Sequence, residues 1–183
     1  DGPQPQLTDE RAQDIVQEYN LGLLTYNEAL AQMENSDSPE EGKAALDELK
    51  SSKEAYRRGS QYALDGATAK EAVEEFASVT PEDVNYQDAQ DQIQEIYAAQ
   101  AQDCKSDVES FTAGHQYGEA LDRIEEAQEL LPEDTELEDL RSQTVDEYSA
   151  YALEQADELM AANEFDAART ALNEAFTYTG DEE

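Results

Sequence analysis

The spacing of apolar residues predicts eight helices in four pairs, each a longer helix followed by a shorter one. Apolar side chains recur at steps of three and four residues, which places them on one face of a helix. Gly, Pro and Asn/Asp/Ser clusters separate these segments and indicate turns. The predicted helices cover residues 8–24, 26–35, 39–64, 68–79, 86–113, 116–131, 135–161 and 164–178.

Three helix starts carry capping signals. Thr8 is a predicted N-cap, Ser38 precedes Pro39 with Glu41 three residues after the cap, and Thr135 with Glu138 has the spacing of a capping box. On the first helix, we expect the buried face to be formed by Ala12, Ile15, Tyr19 and Leu23.

A short phrase recurs once in each of the four pairs. It centres on Ala29, Ala72, Ala120 and Ala168, which are 43, 48 and 48 residues apart. A repeat of this kind predicts stacked hairpins, because one hairpin cannot bury its apolar face alone. We therefore expect a linker over residues 1–7 and one domain over 8–183, with units at about 8–35, 39–80, 86–131 and 134–180.

The third unit resembles the tetratricopeptide repeat. Its residues read Gly114-x-x-Tyr117-x-x-Ala120-x-x-x-Ile124-x-x-Ala127-x-x-x-x-Pro132, which is similar to the second-helix signature of that family. The other units keep parts of the signature, and their period exceeds the 34 residues of the family. The resemblance implies an all-α, right-handed solenoid of antiparallel helical hairpins with unusually long first helices.

The same resemblance implies a non-enzymatic scaffold that binds a peptide or protein partner on its concave face. The positions that match the family's groove are Arg57, Gln61, Lys105, Glu109, Leu153 and Asp157. Two adjacent units place a cation at the equivalent position, which suggests a clamp for an acidic peptide or a terminal carboxylate. The alternative is that these cations form ion pairs with neighbouring acidic side chains.

Charge narrows the classes of partner. The chain has 46 acidic and 11 basic residues and a net charge of −35, so polyanions such as nucleic acids and anionic membranes are disfavoured. Such acidity is also seen in proteins from high-salt habitats, and it predicts stability that rises with salt. No segment is apolar enough to insert in a membrane.

Candidate chemistry is sparse. His115 is the sole histidine and lies at a predicted turn, whereas Cys104 lies on an apolar helix face. We expect a solvated His115 and a packed Cys104, with Tyr62 and Tyr151 the better candidates for exposed tyrosines. The many paired carboxylates are typical of solvated helix faces. No P-loop, EF-hand or nucleophile elbow occurs, so we expect no catalytic residue, cofactor or metal site.

The sequence leaves alternatives open for the cellular location, the oligomeric state and the function. The Asp-Gly-Pro start resembles a linker, and divergent acidic members of the family resemble exported parts of anchored bacterial lipoproteins. An extracytoplasmic location, with the anchor outside these residues, is therefore expected, with the cytoplasm as the alternative. The alternative function is a structural spacer or a dimerisation module acting as a homodimer. A ligand-sensing domain or an enzyme is a third, less favoured hypothesis.

Overall fold

The computed structural model of the protein describes residues 7–64 and 69–180, which contain helices and no strand. The prediction of an all-α protein is confirmed. The predicted helix start at Thr68 lies outside the described residues. The helices are α1 Glu10–Asn20, α2 Tyr26–Met33, α3 Pro39–Ala63, α4 Ala69–Ala77, α5 Tyr86–Ala113, α6 Tyr117–Leu130, α7 Thr135–Ala161 and α8 Phe165–Thr179.

The first helix is shorter than predicted. It ends at Asn20, and Gly22 follows with φ of 75°, a left-handed conformation that glycine adopts without strain. The Leu23 N–H donates to the Glu18 carbonyl and closes the end of the helix. Leu23 is consequently 70% exposed, and the prediction that it joins the buried face is wrong.

Asp9, rather than Thr8, begins α1. One carboxylate oxygen accepts from the Arg11 N–H, and the other accepts from the N–H groups of Asp37 and Ser38 before α3. Desolvation acts to raise the pKa of Asp9, but these backbone hydrogen bonds outweigh it and lower that pKa. A single carboxylate therefore joins the start of α1 to the approach to α3.

The other two predicted helix starts have different outcomes. Ser38 is the N-cap of α3 and Pro39 its first residue, as predicted, although the Ser38 side chain makes no capping hydrogen bond. At α7 the cap is Asp134, whose carboxylate accepts from the N–H groups of Glu136 and Leu137. The predicted Thr135 cap is therefore wrong, because the carboxylate one residue earlier already reaches the free N–H groups of the first turn.

The chain divides into two compact units, Asp1–Ile96 and Tyr97–Glu183. In the first unit, α1, α2 and α3 pack around a cluster of buried apolar side chains. α4 packs along the second half of α3, where the ring of Phe76 lies against Gly59. The cluster contains Ala12, Ile15, Tyr19, Ala29, Met33, Leu46 and Leu49.

A buried carboxylate organises the turn before α5 in the first unit. Asp83 accepts hydrogen bonds from the Ser52 hydroxyl at 2.8 Å and from the Lys53 ammonium at 3.3 Å, both on α3. The Asn20 side chain extends this network, because it donates to the Glu82 carbonyl and accepts from the Val84 N–H. The turn is thereby fastened to α1 and α3 by polar groups that satisfy one another.

The second unit is built on α6, which is largely buried. α7 packs against α6 and α8, and α6 lies close enough to α8 for Gly118 to contact the Tyr178 ring. The buried cluster contains Cys104, Val108, Ala120, Leu121, Ile124, Ala127, Leu131 and Leu137. The four repeated alanines, Ala29, Ala72, Ala120 and Ala168, are all buried; small residues at these positions allow close helix packing.

Candidate ligand-binding groove

Two of the predicted groove residues lie side by side on α5. Lys105 and Glu109 are four residues apart, which places them one turn apart on the same helix face. Lys105 is half-buried and Glu109 is exposed. This part of α5 forms one wall of an open groove in the second unit.

The first turns of α7 form the opposite wall. Glu136, Asp139, Leu140 and Gln143 lie on one face of the helix, because residues three and four positions apart are neighbours there, and they line a groove of about 310 Å³. Its lining therefore combines one ammonium, three carboxylates, one amide and one leucine. Such a surface offers ionic and hydrogen-bonding partners to a peptide, with one apolar contact at the side.

Lys105 is the only cation in this lining, and it is already paired. Its ammonium donates to the Glu136 carboxylate across the groove, and that hydrogen bond raises the pKa of Lys105. The pair is weakly held, because the Glu136 side chain is 72% exposed and surface ion pairs contribute little stability. Lys105 is thus paired with an acidic side chain, but that acid lies on α7 and not beside Lys105 on its own helix.

A related contact occurs one 48-residue period earlier, in the first unit. There Tyr56 on α3 donates its hydroxyl proton to Asp88 at the start of α5. Asp88 and Glu136 are equivalent by the repeat, and Tyr56 is equivalent to Cys104, the neighbour of Lys105. In both units a polar group of one long helix therefore reaches an acidic residue in the first turns of the next.

The residue before Lys105 on α5 is buried and apolar. Cys104 is fully buried, as predicted, and burial raises the pKa of its thiol. Its neighbour Asp107 accepts a hydrogen bond from Arg123 at 2.7 Å, which ties α5 to α6. A buried thiol with a raised pKa is a poor nucleophile, so this site offers binding surface rather than thiol chemistry.

The other four predicted groove residues lie elsewhere. Arg57 and Gln61 are exposed on α3 in the first unit, and Arg57 has no ion pair among the described residues. Leu153 and Asp157 are exposed on α7, beyond the groove. Only Lys105 and Glu109 are therefore brought into one cavity.

Sequence reasoning missed the α7 wall. Its four residues lie in the first turns of α7, which carry no part of the family signature, so the resemblance gave no reason to select them. The signal available was the 48-residue period, which makes Glu136 equivalent to Asp88, together with the one-face spacing of Glu136, Asp139, Leu140 and Gln143.

Aromatic rings form a second feature of this unit. Tyr117 at the start of α6 stacks on Tyr148 of α7 with ring centroids 5.3 Å apart. His115 is exposed in the turn before α6, as predicted, and stacks on Tyr151 at 4.5 Å. Tyr151 is half-buried by this contact, so the expectation that it is exposed is wrong, whereas Tyr62 is 38% exposed.

Within residues 7–64 and 69–180, no group of three or more His, Cys, Asp and Glu side chains is placed to hold a metal ion. None of the helices in those ranges has both the length and the apolar character needed to cross a membrane.

Comparison with known proteins leaves the structure itself as the basis for any functional argument. No family model, no curated protein and no solved structure matches the chain.

Proposed function

We propose that this protein is a non-enzymatic scaffold that holds a segment of a partner protein in the groove between α5 and α7. The framework is taken to be a right-handed array of tetratricopeptide-like hairpins. Burial of all four repeated alanines and the recurrence of a polar contact between successive long helices support it. The exported, anchored setting implied by the resemblance is part of the same proposal.

The lining of the groove carries the proposal. Its one ammonium is engaged by Glu136, while the carboxylates of Glu109 and Asp139 also face the groove. An acidic peptide would meet this excess of negative charge, whereas a Lys or Arg side chain would be attracted by it. The segment we propose therefore contains a basic residue, with an adjacent apolar side chain against Leu140.

The exposed ion pair between Lys105 and Glu136 can open to let such a segment bind. An incoming basic side chain can bind Glu136 in place of Lys105, because exchange of one exposed ion pair for another costs little. Lys105 is then free for a carbonyl or carboxylate of the ligand. The groove is thus a charge-exchange site in which the resident cation gives way to the ligand's.

The first test is site-specific photo-cross-linking in the native cell from position 143, on the groove wall, with Gln17 on exposed α1 as the control position. We expect one partner segment to be captured from position 143 and not from position 17. Capture of another copy of the same chain would instead favour the dimerisation module. Equal capture from both positions would remove the groove from the function.

The captured segment is then synthesised and its affinity measured by calorimetry. Glu136→Lys with Asp139→Lys should weaken binding by about tenfold or more, while Asp14→Lys with Glu18→Lys on α1 makes the same change in net charge and should have little effect. If Lys105→Glu abolishes binding and the Glu136/Asp139 variant does not, the ligand is held by its own negative charge. That result would support the acidic-peptide clamp instead.

A further inference from the structure

A cation already occupies the groove between α5 and α7. The Lys105 ammonium donates to the Glu136 carboxylate there, and both side chains reach solvent, with 33% and 72% of their surface exposed. Glu109 and Asp139 line the same groove, and neither forms an ion pair with any other residue that the structure describes. The groove therefore has unmatched negative charge beside a position that already holds a cation.

Glu109 offers the Lys105 ammonium a second partner. The two residues are four positions apart on α5, and side chains at that spacing are neighbours on a helix surface. When a ligand cation binds Glu136, the Lys105 ammonium can rotate toward Glu109, so its charge keeps a carboxylate beside it. Displacement of Lys105 from Glu136 therefore replaces one ion pair with two.

Competition with Lys105 selects the kind of cation. Lys105 is tethered within reach of Glu136, which gives it a high effective concentration, and a ligand ammonium would offer Glu136 the same kind of contact. A guanidinium differs, because its planar fork of donors binds more than one carboxylate oxygen at a time. Glu136 and Asp139 are three residues apart on one face of α7, so one guanidinium can bond to both. The groove should accordingly prefer Arg to Lys.

The spacing of residues along α7 sets the spacing of residues within the ligand. Leu140 is four residues from Glu136, which is about 6 Å along the helix axis. In an extended segment, side chains two residues apart point to the same side and are about 7 Å apart. An Arg opposite Glu136 therefore places the side chain two residues away beside Leu140. Gln143 donates to Glu147 at 2.9 Å, which leaves its carbonyl oxygen to accept from a backbone N–H of the ligand.

The size of the groove favours an extended segment over a helix. The groove has a volume of about 310 Å³. A helix with its side chains is about 10–12 Å in diameter, so a length of about 10 Å occupies roughly 800 Å³ or more. An extended segment also keeps its backbone N–H and C=O groups available to side chains such as Gln143.

We propose, on the basis of the scaffold function proposed above for this groove, that its ligand is an extended segment with an Arg and a large apolar residue two positions apart. The guanidinium binds Glu136 and Asp139, and the apolar side chain contacts Leu140. Lys105 acts as a resident competitor that excludes weaker cations, with Glu109 as the carboxylate to which it moves.

The probes are labelled, amidated peptides whose binding is measured by fluorescence anisotropy at physiological salt. The first, Gly-Leu-Ser-Arg-Ser-Leu-Gly, has a leucine two positions from the Arg on either side and so fits in both chain directions. The second, Gly-Ser-Leu-Arg-Leu-Ser-Gly, has the same composition with the leucines next to the Arg, and it should bind about tenfold more weakly because the apolar contact is lost. The third replaces Arg by Lys in the first peptide and should bind about fivefold more weakly.

Two variants test the exchange itself. Lys105→Met should tighten binding of the first peptide by about threefold or more and reduce the preference for Arg over Lys, because the resident competitor is gone. Lys50→Met, which removes another ion-paired lysine in the first unit, makes the same change in net charge and should have little effect. Asp139→Asn should bring the Arg peptide close to the affinity of the Lys peptide. Weaker binding to Lys105→Met would overturn the exchange and show that Lys105 itself holds the ligand.

Equal binding of the first two peptides would refute the spacing, and equal binding of the Arg and Lys peptides would refute the selection of Arg. If none of the three binds while a segment captured from position 143 does, the ligand sequence proposed here is wrong and the scaffold function stands. Failure of the scaffold function shows separately, as equal capture from positions 143 and 17.

Discussion

Gly59 and Phe76 offer a sharp test of how α3 and α4 pack. A Cβ added at Gly59 would lie 2.8 Å from Phe76 Cδ1 and 3.0 Å from Cε1. Such distances are shorter than ordinary van der Waals contact. Phe76 is 1% exposed and its ring also lies 5.8 Å from that of Tyr56, so it has little room to move. Gly59→Ala should therefore force the two helices apart.

Gly59→Ala should change the free energy of unfolding in opposite directions in the wild-type and Phe76→Ala backgrounds. Overpacking costs about 1–3 kcal/mol, and replacing glycine by alanine inside a helix returns about 1 kcal/mol, so Gly59→Ala alone should destabilise by up to about 2 kcal/mol. Phe76→Ala alone should cost about 3–5 kcal/mol, because it leaves a cavity. In the Phe76→Ala background the new methyl group enters that cavity, and Gly59→Ala should stabilise by about 1 kcal/mol.

The assay is a double-mutant cycle by urea unfolding, followed by circular dichroism at 222 nm. The cycle is measured in molar salt, which screens the self-repulsion of the chain and should help the destabilised variants to stay folded. The coupling between the two positions should be about 1–3 kcal/mol. Phe76→Leu provides a milder second background with the same sign. Additive effects, with coupling below about 0.5 kcal/mol, would refute the packing argument.

Three further predictions concern charged groups. Asp83→Ala should cost about 3–5 kcal/mol, because it leaves Lys53 without its buried partner; Ser52→Ala should cost about 1 kcal/mol, and equal losses would contradict this ranking. Arg58 lowers the pKa of Glu75 by hydrogen bonding, so the stabilisation from this pair is fully present above the ordinary glutamate pKa of 4.5 and is lost as pH falls through the lowered pKa. The stability difference between wild type and Arg58→Gln should accordingly vanish in acid, and a difference that persists at pH 3 would contradict it. The thermal midpoint of the wild type should rise from dilute buffer to about 1 M salt, because salt screens the net charge of −35; an unchanged midpoint would refute self-repulsion as a limit on stability.

Of the six residues predicted to form the groove, the structure brings Lys105 and Glu109 into one groove, and the opposite wall consists of residues that were not predicted. Lys105 and Glu109 lie within one helix, so the repeat and the family signature were enough to select them. Which residues of α7 lie opposite Lys105 and Glu109 depends on the axial offset between the packed helices. That register is set by the fit of side chains such as Tyr117 against Tyr148, which a pattern of apolar spacing does not encode.

The sequence by itself determined the helices and their order, because helical periodicity and turn residues act within a few positions of one another. Both α5 and α7 begin and end where the pattern predicts, and the repeated alanines are buried. Local signals were weaker at the helix starts. The N-caps of α1 and α7 are Asp9 and Asp134, where the sequence pattern predicted Thr8 and Thr135.

Only the tertiary structure decided which side chains meet across helices. It paired Lys105 with Glu136, buried Asp83 against Ser52, and left Phe165 exposed where its equivalent Tyr117 is covered. The physical reason is that helix formation depends on near neighbours in the chain. Burial and pairing depend instead on residues about 30 positions away, which close packing alone brings together.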